Sequence, residues 1–213
     1  MLVSDFYHDC KRIYKTSQGN PVFKLIKLAF IPSVHIMFVY RLGHSIVKLW
    51  PPFNWIFSLL YFPLSIFIKV IYNTSIPARA EIGAGFVILH PGAIYIHPCA
   101  KIGKNVTMSY CVAIGAAKLS DKKYPTIGDE VMIGVGAKIL GPIIVNHHSV
   151  IGANAVVLKD IPAYAVVGGV PAKVIKIQKP RRKREKRFRN FRRNRNANIK
   201  QDRRAGAIHI NKD

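Results

Sequence analysis

The chain has 213 residues, half of them hydrophobic, which allows one main domain with accessory segments and a sizeable core. Its net charge of +23 is concentrated at one end: residues 179–213 hold 15 Lys/Arg against Glu185, Asp202 and Asp213, so the charge belongs to a tail more than to a fold. Three cysteines, Cys10, Cys99 and Cys111, form no C-x-x-C pair; no metal site is expected, and they read as buried or free thiols of a reducing compartment, the cytoplasm.

Residues 1–75 read as an apolar helical region. Asp5, His8, Asp9, Lys11 and Arg12 precede any apolar run, so no signal-peptide pattern opens the chain. From Asn20 to Asn73 the sequence is strongly apolar, with a helix break expected at Pro32. The stretch Leu49 to Ile68 carries no charge and is long enough for a bilayer span, but Pro51, Pro52 and Pro63 are expected to interrupt it. Three readings stand: a full span, an interfacial or re-entrant helical pair on the inner face of a membrane, and helices buried in an oligomer. Trp50, Trp55, Tyr61 and Tyr72 suit a membrane interface and a protein core equally. His35, Tyr40, Arg41 and His44 read as polar residues satisfied on a helix face.

Residues 76–177 carry the organising signal. Ile76, Ile82, Ile88, Ile96, Ile102, Met108, Ile114, Ile127, Ile133, Ile139, Val145, Ile151 and Val157 recur every six residues, with two longer gaps, after Ile88 and after Ile114. A helix repeats at 3.6 and a strand at 2; a strict six predicts a parallel β-helix, three hexads to a triangular coil. The aliphatic residues are expected to stack inward, with Gly85, Asn105, Asp129, Gly136, Asn146 and Asn154 tolerating positive φ at corners. The inserted loop, Ala116 to Thr126, is a candidate functional element. Lys159-Asp160-Ile161-Pro162 ends the repeat, and a Gly/Pro-rich return, Val166 to Ile175, follows it.

Taken singly, His90 reads as a turn residue, Tyr124 as loop packing and Asp121 as a solvated loop charge. His97, His147 and His148 fall at turns without clustered metal partners, and Cys99 and Cys111 read as packed thiols. The tail, residues 178–213, has the composition of a disordered segment. Its partner is read three ways: anionic lipid headgroups, nucleic acid (for which no recognition fold accompanies the charge, so it is not expected), or solvent alone.

Four motifs change the weight of some of these residues: H-x4-Y-R-x-G-H (His35 to His44), I-x-H-P-G-x-x-x-I-x-P-x-A-K-I-G (Ile88 to Gly103), Y-P-T-I-G-D (Tyr124 to Asp129) and G-V-P-A-K (Gly169 to Lys173). With them the chain, from about His35 to Ile175, resembles the hexapeptide-repeat acyltransferases, and most the serine O-acetyltransferase branch. The resemblance implies a left-handed β-helix, a homotrimer with active sites between neighbouring coils, acetyl-CoA as donor and a hydroxyl acceptor. It assigns His90 as general base, which suits a hydroxyl that must lose its proton to attack. It gives Tyr124 the place of a second site residue, where the family carries His, and it places CoA contacts at Ala116, Val135 and Ala153 and near Lys173, with Lys123 and Lys173 able to pair with phosphates. Where the family carries Asp before the base, this chain has Leu89, and the family's acceptor-binding Asp-Pro corresponds loosely to Asn20-Pro21. These departures fall on the acceptor side. They leave three functions open: a serine acetyltransferase-like enzyme, an acetyltransferase acting on a sugar hydroxyl of a membrane-associated polysaccharide or precursor, and a non-catalytic trimeric scaffold.

Overall fold

Strands of two or three residues cannot bury a face alone; they gain stability only by stacking on copies of themselves. The computed structural model describes residues 2–16, 20–118, 120 and 122–178; the basic tail and Asp121 lie outside them. Face A of the resulting prism is formed by β1 (Thr74–Ser75), β4 (Ile94–Ile96), β7 (Ala113–Gly115), β10 (Lys138–Leu140) and β13 (Val156–Val157). Face B is formed by β2 (Glu81–Ile82), β5 (Lys101–Ile102), β8 (Thr126–Ile127) and β11 (Ile144–Val145). Face C holds β3 (Val87–Ile88), β6 (Thr107–Met108), β9 (Met132–Ile133), β12 (Val150–Ile151), β14 (Ala165–Gly168) and β15 (Lys173–Ile177). Neighbouring strands pair in parallel except β14 with β15, which is antiparallel. The fold is therefore a three-sided parallel β-helix, as the six-residue period predicts.

The register fixes what stacks on what. Ile96 lies opposite Ile114 and Ile139 opposite Val157, each one eighteen-residue coil apart; Met108 lies opposite Ile133 across the insertion. All the repeat positions from Ile82 to Val157 are buried, and Ile76, at the open end, is half-buried. A second inward row lies two residues earlier, following the period of a strand: Ala80, Phe86, Ile94, Ala100, Val106, Val112, Val131, Ala137, Ile143 and Ala155 are all buried.

The turns at the B/C and C/A edges need the left-handed region. Gly85, Asn105, Gly136 and Asn154 take positive φ there as expected. Asp129 and Asn146 do not; the role falls to Glu130 (φ 56) and His148 (φ 59). The reason is register: the left-handed residue is the third after each inward aliphatic one, so Glu130 follows Ile127 and His148 follows Val145 as Gly85 follows Ile82, while the side chains of Asp129 and Asn146 serve as hydrogen-bond partners. Asp129 Oδ1 accepts from the Lys104 amide at 2.7 Å, and Asn146 Nδ2 donates to the Ile161 carbonyl at 2.9 Å. At the same edge Gly83, Gly103 and Gly128 stack so closely that a Cβ on Gly83 would come within 2.7 Å of Gly103 backbone, and one on Gly103 equally near Gly128.

Four helices precede the coils: α1 (Leu2–Thr16), α2 (Pro21–Phe30), α3 (Pro32–Val47) and α4 (Phe53–Ile71). Asn20 caps α2 by accepting from the Val22 amide at 3.1 Å, and Pro21 and Pro32 occupy first-turn positions where no N–H is missed. The expectation that prolines interrupt Leu49 to Ile68 holds for Pro51 and Pro52, which form the turn before α4, and is corrected for Pro63, which lies inside α4 without ending it. The apolar core is continuous from helices to coils, with Ile36, Met37, Val39, Tyr40 and Ile68 joining the coil stack.

The first coil has no coil before it, so its backbone groups lack ladder partners. The helices supply them. Asp9 Oδ1 accepts from the Gly85 and Phe86 amides at 2.7 and 2.9 Å. Arg41 donates to the carbonyls of Ile82 and Gly83 at 2.6 and 2.7 Å, and Tyr40 donates to the Ala80 carbonyl while accepting from the Ile82 amide. His44 Nδ1 lies 2.8 Å from the Ala78 carbonyl. Tyr40, Arg41 and His44 of the His35 to His44 motif thus seal the open end of the solenoid.

Candidate functional site

His90 follows the last residues of β3 at the C/A edge. Pro91 restrains it to extended backbone. The loop is pinned on both sides: the Leu89 amide donates to the Met108 carbonyl at 2.9 Å, and the Cys111 amide donates to the Gly92 carbonyl at 2.8 Å. Between these pins the chain bulges outward, with Gly92 at φ 139 and Ala93 at φ 51. The imidazole is exposed, so an incoming hydroxyl can reach it.

The β3/β6/β9/β12 register extends past the strand ends. Ile88, Met108, Ile133 and Ile151 align, so the residues two further on, His90, Tyr110, Val135 and Ala153, form a column along the C/A edge. Amide-to-carbonyl bonds stitch that edge from coil to coil, Gly136 to Tyr110 at 3.0 Å and Asn154 to Val135 at 2.7 Å. The turn after β14 completes it: the Val156 amide donates to the Gly169 carbonyl and the Ala172 amide to the Val156 carbonyl, after which exposed Lys173 begins β15. Three of the expected site residues thus share one column and a fourth lies at its foot.

Ala116, Lys123 and Tyr124 lie elsewhere. They belong to the connection from β7 to β8 at the A/B edge. Tyr124 stacks on His97, ring centroids 4.0 Å apart and planes 12° from parallel, and His97 Nδ1 accepts from the Cys99 amide at 3.2 Å. One chain therefore separates its candidate residues onto two edges, His90 with Val135 and Ala153 on one, Tyr124 with Lys123 and Ala116 on another. Two edges of a triangular prism come together when a second copy packs alongside.

Tyr110 was not among the residues picked out from the sequence. Its ring meets His90 edge-on, centroids 6.4 Å apart. Carrying the coil register two residues beyond Met108 finds it. Among the described acids, Asp5 and Asp9 are on α1, Glu81 is on face B, Asp129 and Glu130 are at the B/C edge and Asp160 follows β13 at the A/B edge; none stands on the His90 column. His147 and His148 are at the B/C edge, His148 paired with Glu130 at 3.3 Å.

The profile of the bacterial transferase hexapeptide family (six repeats) matches residues 124–159. A serine acetyltransferase of Mycobacterium tuberculosis is 38% identical over 154 residues, covering 70% of this chain and 63% of its own length. One from Helicobacter pylori strain J99 is 36% identical over 152 residues, covering 70% of this chain and 84% of its own length. The chain thus spans less than two thirds of the first relative and most of the second. The crystal structure of Brucella abortus serine acetyltransferase superposes over 83% of this chain and 69% of its own, with a TM-score of 0.70 at 27% identity. Its complex with coenzyme A gives the same TM-score at 28% identity, over 83% of this chain and 68% of its own.

Proposed function

The chain belongs to the serine acetyltransferase family of hexapeptide-repeat transferases, and on that premise we propose that it transfers the acetyl group of acetyl-CoA to an acceptor hydroxyl, with His90 as general base. The observation that carries this reading is the column of His90, Tyr110, Val135 and Ala153. It offers an exposed imidazole at one end and backbone of successive coils, in steps of about 4.8 Å, on which an extended pantetheine arm can lie. Lys173 at its foot suits the CoA phosphates.

In the reaction His90 takes the acceptor proton as the hydroxyl oxygen attacks the thioester carbon. Backbone amides of the edge hold the oxyanion as it forms. Collapse breaks the C–S bond, and the coenzyme A thiolate leaves with the proton held by His90. The edge that carries Ala116, Lys123 and Tyr124 completes the site from a neighbouring copy. We take the assembly as a homotrimer and the coil as left-handed, as the family resemblance implies, with the cytoplasm as the compartment.

A second reading of the acceptor rests on one observation: no described carboxylate shares the edge of His90, where Leu89 is 47% exposed, and the one described acid on the A/B edge that a neighbour would bring is Asp160, which is engaged by the Ile144 amide. An amino acid's ammonium group needs an acidic partner when desolvated; a neutral sugar hydroxyl does not. Thiol release from acetyl-CoA, assayed with serine and with a sugar panel, separates the two acceptors. Turnover lowered about a hundredfold or more in His90→Ala is expected. Undiminished turnover in that variant would remove His90 as base, and absence of both turnover and CoA binding would leave a scaffold.

A further inference from the structure

We propose that the outer sides of α2 and α4 dock this protein on an anionic lipid bilayer, a role independent of the acetyl-transfer reading. α4 is two-sided. Tyr61, Leu64 and Ile68, at helical spacing, pack on the core, and the Tyr61 ring fills the space where Gly43 of α3 has no side chain. On the other side Trp55, Leu59, Leu60, Phe62 and Val70 are each 61–76% exposed. α2, packed on α1 and α3, also exposes Leu25 and Phe30 at 65% and 76%. Only 6% of the most apolar part of α4 is buried, at mean hydropathy 1.6. So many large apolar side chains left exposed on one side of α4 mark an interaction site.

Charge selects the occupant. No acidic residue occurs between Asp9 and Glu81, while Lys24, Lys27, Lys48 and Lys69 stand on or beside these helices. Ammonium groups bordering an apolar face match acyl chains beneath anionic headgroups. A second copy on the same face would bring like charges together. α4 is held along its inner side by Tyr61, Leu64 and Ile68, so it lies in the interface instead of crossing it. Trp50 and Trp55, the chain's two tryptophans, are both 76% exposed on or beside α4, where indole favours the headgroup level.

Those tryptophans make the test direct. The full-length chain is mixed with phosphatidylcholine vesicles and with vesicles containing phosphatidylglycerol, with and without brominated acyl chains. Anionic vesicles are expected to shift Trp emission to the blue, bromine to quench it, and Leu59→Asn with Leu60→Asn to lower partitioning about tenfold or more at unchanged thermal unfolding. Absence of partitioning overturns the proposal. So does partitioning without bromine quenching, which would assign binding to the tail. Indifference to vesicles, together with self-association that the double variant abolishes, would show a second copy as the occupant.

Discussion

Arg41 and Asp9 form a buried pair, Nε to Oδ2 at 3.0 Å and Nη2 to Oδ1 at 3.2 Å, and each also holds backbone of the first coil. Removing one partner leaves a desolvated charge and frees backbone groups together. Asp9→Ala and Arg41→Met are each expected to cost about 3–5 kcal/mol in urea unfolding. The double variant should cost less than their sum, because neither then leaves the other uncompensated.

His90→Ala is expected to lower kcat about 10²- to 10⁴-fold while leaving acetyl-CoA binding, measured by titration, close to the parent. Tyr110→Phe keeps the edge-on ring against His90 and should retain most activity; Tyr110→Ala should lose more.

The division of His90 and Tyr124 between two edges predicts complementation. His90→Ala and a loop variant with Lys123→Ala and Tyr124→Ala, each impaired alone, are co-expressed with different tags. Purified mixed oligomers should recover activity, up to about a quarter of sites at random mixing in a head-to-tail ring. Recovery no better than the parents would place both residues in one chain's site.

Cys10 gives a pH dependence. Burial, with the Asp9 carboxylate adjacent, pushes its thiol up from 9.0 to about 11. The folded chain then holds a proton that the unfolded chain loses between those values, so this group's contribution to stability falls as pH rises through that window. Iodoacetamide at pH 8 should modify exposed Cys99 well before Cys10, read by mass spectrometry.

Gly103→Ala tests the tight stack of the B/C edge. A Cβ there would lie 2.7 Å from Gly128 backbone, which can yield only if the coils separate. A loss of about 1–3 kcal/mol is expected in urea unfolding.

Much of this was legible in the sequence, because in a solenoid counting is geometry. The six-residue rule gives the faces, and counting onward from Ile88, Ile133 and Ile151 aligns His90, Val135 and Ala153. The second inward row is harder to read. Its positions accept Ala, Phe, Val and Ile alike, since what fits depends on the neighbouring coils and not on chemistry. Asp9 gave no signal beyond its charge: the groups it holds are backbone amides of Gly85 and Phe86, which leave no mark in side-chain pattern. The apolar stretch from Leu49 to Ile68 was readable as apolar but not as two-sided. That follows only once Tyr61, Leu64 and Ile68 are seen to pack inward.

The reversal of β15 against β14 also bears on how copies can grow together. A stack of parallel coils is a template that could lengthen indefinitely, as fibres do, by adding the next coil from another molecule. Here one end is plugged by α1 and α3, and the other is turned back by a strand running against the grain, bearing Lys173 and Lys176. Growth along the axis is opposed at both ends, which leaves the flanks of the prism as the side on which the proposed homotrimer would close.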